Sequence, residues 1–133
     1  MAGNDYAQNT TLRSPLGRVR GLGSAKGGTH HWWMQRVTSA ALLPLTIWFA
    51  VSAASLAGAP YETTLAWIAH PLNAVLLLAT IGLSFHHTAA GVQVIIEDYA
   101  NKEWAKVGGI LAVRAICWLL AIASALAVLR IAV

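Results

Sequence analysis

The stretch FHHTAAGVQVIIEDY, residues 85–99, sets two adjacent imidazoles, His86 and His87, ahead of a carboxylate and a phenol, Asp98 and Tyr99. No formal charge intervenes between Glu62 and Glu97. His87 lies ten residues before Glu97, and a helix rises about 1.5 Å per residue, so the ring falls roughly 15 Å below the surface, near mid-bilayer. An ionisable or metal-binding side chain is costly at that depth, and a functional reading is the default there. A neutral imidazole binds metal or haem iron, and one axial histidine per helix suits a haem held between helices. The plain alternative is a histidine hydrogen-bonded across a helix bundle.

The spacing sharpens the reading. At about 100° per residue, the eleven residues from His87 to Asp98 turn three full circles plus about 20°, which puts both on one face with Gly91 and Val94 between them. Gly91, one turn from His87, leaves room for a flat macrocycle, although small residues also serve helix packing. His86 points about 100° away, towards a neighbouring helix or lipid, so His87 is the favoured ligand. Asp98 and Tyr99 come where such a helix meets the inner interface. A phenol and a carboxylate there can hydrogen-bond a quinone carbonyl and relay protons to it; an Asp at a helix end beside an interfacial Tyr anchor is the alternative. Arg36 and Ser39, three residues apart, share a face. Arg36 suits a buried anion such as a haem propionate, or serves as a topogenic charge. Arg114 reads as snorkelling towards the inner interface, with Glu97, Asp98 or Glu103 as possible salt partners.

These residues need a bilayer around them. The chain has 133 residues, 57% of them hydrophobic and 11% charged, and a mean hydropathy of +0.59, too apolar for an ordinary soluble domain of this size. A pI near 9.7 raises nucleic acid as a partner, but five of the nine basic residues (Arg13, Arg18, Arg20, Lys26 and Arg36) precede the first apolar segment. That distribution speaks for membrane orientation and against nucleic acid. No secretory leader is apparent, since the first 30 residues are polar and Gly-rich. Cys117 is the single cysteine; it cannot form an intrachain disulfide and reads as packing. GLGSAKGGT has the composition of a phosphate loop without its order of residues.

The fold class that follows is an all-α membrane protein of three transmembrane helices. The spans fall at about 36–58, 68–97 and 106–130 within an anchor domain of residues 31–133, behind an N-terminal arm of residues 1–30. Pro71 starts the second helix. The basic arm places the N-terminus on the cytoplasmic side, the turn around GAPYET and the C-terminus on the periplasmic side, and EDYANKEWAK back inside. Trp32, Trp33, Tyr99 and Trp104 fall at the inner interface and Tyr61 and Trp67 at the outer one, with Trp48 and Trp118 deeper, as packing residues.

The pattern H-x3-G-x6-D-Y (His87, Gly91, Asp98, Tyr99), the fuller GVQVIIEDY and the upstream GSAKGGTHHWWMQRVTSAALLPL resemble the smaller, hydrophobic membrane anchor of succinate dehydrogenase, respiratory complex II, in its alphaproteobacterial and mitochondrial-like branch. The resemblance runs from Gly23 onward. It implies a polypeptide that performs no succinate chemistry itself but completes the quinone site of an enzyme complex in the tricarboxylic acid cycle and respiratory chain. The partners implied are a flavoprotein subunit, an iron–sulfur subunit, and a second, cytochrome b membrane anchor, in the bacterial inner membrane. His87 then matches the axial ligand of a b-type haem whose other ligand comes from the cytochrome b anchor. Tyr99 matches the tyrosine that hydrogen-bonds ubiquinone, with Asp98 its acidic neighbour, and Arg36 matches the arginine near the haem propionates. His30, His31 and the extra His86 have no assigned role. The anchor of a fumarate reductase and a non-redox membrane scaffold are the alternatives.

Overall fold

The computed structural model describes Leu16 and residues 28–133. Apart from Leu16 and Gly28–His30, the N-terminal arm lies outside the described residues. Helix α1 spans Gly28–Ser55, α2 Tyr61–Ala69, α3 Pro71–Tyr99 and α4 Glu103–Ala132. Among the described residues, three helices (α1, α3 and α4) are long and apolar enough to cross a membrane. They hold 28, 29 and 30 residues, whereas about 20 residues suffice for the hydrocarbon core, so each reaches into the headgroup region or tilts.

Local chemistry sets the helix ends. Pro44 stands inside α1, where it removes one backbone donor; membrane helices tolerate this when nearby side chains and neighbouring helices compensate. Thr46 donates to the carbonyl of Leu42 at 2.8 Å, close to that break. The chain leaves α1 through Gly58, whose φ of +79° lies in the left-handed region that suits glycine. α2 departs from the sequence expectation of a turn around GAPYET followed by a span from about 68. Instead Pro60 opens a nine-residue helix and Pro71 forces its close, because the residue before a proline avoids helical ψ. His70 accordingly has ψ 126° and is at once the C-cap of α2 and the N-cap of α3. Asn73 donates to the carbonyl of Trp67 at 2.8 Å, adding a side-chain donor to a carbonyl that also accepts from the His70 backbone N–H at the end of α2. Trp67 also stacks on Trp48 of α1, with ring centroids 5.6 Å apart, tying the short helix back to the first span.

α3 is the centre of the arrangement. Both α1 and α4 pack against it, while α1 and α4 do not pack against each other, and α2 covers one end of α3 and α4. Small residues mark the close approaches. A Cβ on Gly109 of α4 would lie 3.4 Å from Ile96, and one on Gly91 of α3 would lie 3.4 Å from the Gln35 amide, the pattern expected where helix backbones must come near in lipid. Few side chains are buried: Ala74, Leu77 and Cys117 among the apolar ones described. Cys117 is thus the packing residue its position suggests. Trp118 is not, being 67% exposed, because it projects from the side of α4 that α1 leaves open. So much exposed apolar surface belongs against lipid or other chains.

Candidate functional site

The N-terminal half of α1 lies antiparallel against α3, and the contact centres on His87. Thr38 and Gln35, one turn apart on α1, both face it. The Thr38 Oγ is 3.0 Å from His87 Nδ1, and the Gln35 amide nitrogen is 3.3 Å from His87 Nε2. Thr38 is 3% exposed and is the one buried polar side chain among the described residues.

With the Gln35 amide nitrogen placed at Nε2 as a donor, Nε2 accepts and the imidazole proton sits on Nδ1. Thr38 must take that proton as an acceptor. Its own hydroxyl hydrogen is committed elsewhere, since Oγ lies 2.8 Å from the Met34 carbonyl and 3.2 Å from that of Gln35, the back-bonding typical of threonine in a helix. In that arrangement the Nε2 lone pair is turned towards Gln35. That amide is poorly satisfied: its oxygen is buried with no partner, a state that costs about 1–3 kcal/mol. Gly91, one turn along α3, lies beside it, where a Cβ would stand 3.4 Å from the amide nitrogen.

His86 turns off this axis, as the 100° step requires. It is exposed and borders a cleft of about 420 Å³ between the unpaired faces of α1 and α4, with His31, Phe85, Arg114 and Trp118 also in its wall. Arg36 is on the far side of α1 from Thr38, two residues or about 200° away, and lies over the Trp32 ring at 5.0 Å. Within this chain it does not join His87. Ser39 likewise faces out and bonds the Gln35 carbonyl at 2.8 Å. α3 continues unbroken to Asp98 and Tyr99, so the shared face with His87 stands, but Tyr99 is 80% exposed and Asp98 is exposed too. Any pocket around them is completed from outside the described chain. Arg114 reaches inwards by a route absent from the sequence expectation. Its guanidinium donates to Gln93 Oε1 at 2.7 Å and Gln93 donates onward to Glu97 at 2.7 Å, so an amide relays between the two charges.

Residues 10–128 match the family described as succinate dehydrogenase/fumarate reductase transmembrane subunit. The chain belongs to that family. As a membrane anchor it is similar to the succinate dehydrogenase hydrophobic membrane anchor subunit of Rickettsia typhi, 31% identical over 117 residues that cover 88% of this chain and 94% of the relative. The protein of the same name from Rickettsia conorii is 32% identical, over 68% of this chain and 72% of its own. That of Paracoccus denitrificans is 33% identical, over 65% and 67%. No solved structure matches.

Among the described residues, no group of three or more His, Cys, Asp or Glu side chains could hold a metal ion. The space beside Nε2, towards Gly91, is filled by the Gln35 amide, whose oxygen has no partner. Sequence reasoning singles out His87 and Gly91 but misses Thr38 and Gln35. Their signal is nonetheless present: both lie on the turn of α1 that an antiparallel neighbour would press against His87.

Proposed function

We propose that this chain is the membrane anchor of a succinate:ubiquinone oxidoreductase, holding a b-type haem together with a second anchor polypeptide and completing the ubiquinone site. The observation that carries the reading is the placement of His87, half-buried on α3 with Thr38 3.0 Å from Nδ1, Gln35 3.3 Å from Nε2 and Gly91 one turn along the same helix. Haem, when bound, supplies a one-electron carrier within the membrane. His87 is the residue of this chain that would hold it, with the second anchor polypeptide supplying the rest of the site. Arg36, on another face of α1, is free to meet a propionate where that partner packs.

Tyr99 and Asp98 serve the quinone. The phenol donates to a quinone carbonyl and the carboxylate passes protons from the inner aqueous phase, so that two electrons from the iron–sulfur partner and two protons yield the quinol. Their exposure in the single chain suits a pocket shared with neighbouring polypeptides. The basic arm and the inward Arg114–Gln93–Glu97 relay favour a cytoplasmic N-terminus and a periplasmic C-terminus in a bacterial inner membrane.

The test is native purification through a tag on this chain. Co-purifying flavin and iron–sulfur subunits, a dithionite-reduced b-haem band and succinate–quinone reductase activity are the expected result. A colourless chain isolated alone would return His87 to helix packing. The potential of the haem and the quinone extracted with the complex separate this direction of catalysis from fumarate reduction.

A further inference from the structure

We propose that Thr38 is the positioning residue that holds the His87 imidazole in its iron-binding tautomer, and that Gln35 caps Nε2 in the haem-free chain and is displaced when iron arrives. The proposal rests on the reading of His87 as a haem ligand. It also goes beyond it, by assigning roles to two residues that touch neither iron nor quinone.

Two independent constraints lead to Thr38. The amide nitrogen of Gln35 can only donate, which puts the imidazole proton on Nδ1. The Thr38 hydroxyl, already spent on the Met34 carbonyl, has only lone pairs left for that proton. Thr38 itself is buried to 3% exposure, and once Gln35 is displaced it is the contact left on the ring, so it is the side chain that holds ring orientation and tautomer. An acceptor on the non-ligating nitrogen raises the basicity of the ligating one. Thr38 therefore strengthens donation to iron and favours the ferric state.

Gln35 is the opposite kind of contact. Its one bond to the ring is long, at 3.3 Å, and its oxygen is buried without a partner. Iron on Nε2 removes that bond, and the amide must turn away from the space over Gly91. Gln35 thus shields a bare lone pair until haem is loaded and adds nothing to the loaded site.

The experiment uses the whole complex purified with Thr38→Val, Thr38→Ser, Thr38→Cys and Gln35→Met. Haem-to-flavin ratio, haem midpoint potential and the ferric EPR spectrum are read alongside wild type. Thr38→Val, equal in size but without the acceptor, should weaken haem retention by about 10- to 100-fold, raise the potential and shift the EPR spectrum. Thr38→Ser should restore all three. If the valine variant fails to assemble, Thr38→Cys, a weaker acceptor, should shift the potential and spectrum in the same direction by less. Gln35→Met should leave potential and spectrum as in wild type while raising the haem-to-flavin ratio in haem-limited cells, by roughly two- to tenfold, the worth of one hydrogen bond. Wild-type potential and spectrum in both Thr38→Val and Thr38→Cys would overturn the assignment of Thr38. A shifted spectrum in Gln35→Met, or an unchanged haem-to-flavin ratio, would overturn that of Gln35. Failure of the underlying reading looks different: wild type would carry no b-haem, or His87→Ala would keep it.

Discussion

Substituting Gly91 tests whether the gap beside His87 Nε2 is where a macrocycle goes. In Gly91→Ala the new Cβ lies 3.4 Å from the Gln35 amide nitrogen, the end of a flexible side chain that yields by a few tenths of an ångström. Removing a glycine from a helix interior gains up to about 1 kcal/mol, so the alanine variant should be as stable as wild type or slightly more so. Gly91→Leu adds three further carbons to the same spot, where overpacking costs about 1–3 kcal/mol, and drives the amide off the ring. If haem lies over Gly91, the leucine variant should assemble with its flavin and iron–sulfur partners but lose most of its b-haem, while the alanine variant keeps it. The assay is the haem-to-flavin ratio of the purified complex, with thermal unfolding in detergent as the control for packing. A leucine variant with a full complement of haem would refute the placement, because no flat ring fits beside Nε2 with that side chain present.

Other consequences are equally concrete. Tyr99→Phe should keep the haem spectrum and lower quinone reduction by at least tenfold, within the usual ~10²–10⁴-fold worth of a positioned proton donor or less; unchanged quinone kinetics would remove Tyr99 from the site. His87→Ala should abolish the b-haem band while some succinate–quinone reduction persists, since the iron–sulfur partner can reach the quinone directly; a retained bis-histidine spectrum would move the ligand to His86 or another chain. Gln93→Leu breaks the relay between Arg114 and Glu97. Both ends are exposed in the single chain, so solvent screening keeps the loss to about 1 kcal/mol or less, visible as a fall of a few degrees in the unfolding temperature of the complex. An unchanged transition would mean that Arg114 finds lipid or protein partners just as good.

Much of this molecule is written in its one-dimensional pattern. Three apolar runs of bilayer length, two uncharged and the third broken only by Arg114, dictate three long helices, since only internally hydrogen-bonded backbone survives in hydrocarbon. The eleven-residue interval puts His87 and Asp98 on one face of any continuous helix, and Pro71 marks where that helix begins. α2 escapes notice because the same uncharged interval serves a span alone or a span with a short helix before it; only the extended backbone at His70 divides the two. Contact between helices is hidden for a stronger reason. Periodicity says which residues of one helix share a face, but not which face of α1 meets α3, nor at what height. That register places Thr38 and Gln35, not Arg36 and Ser39, against His87, and threads Arg114 to Glu97 through Gln93. The proton on Nδ1 follows from that packing, because a tautomer is chosen by the partners on either side of the ring and those partners lie 49 and 52 residues away along the chain.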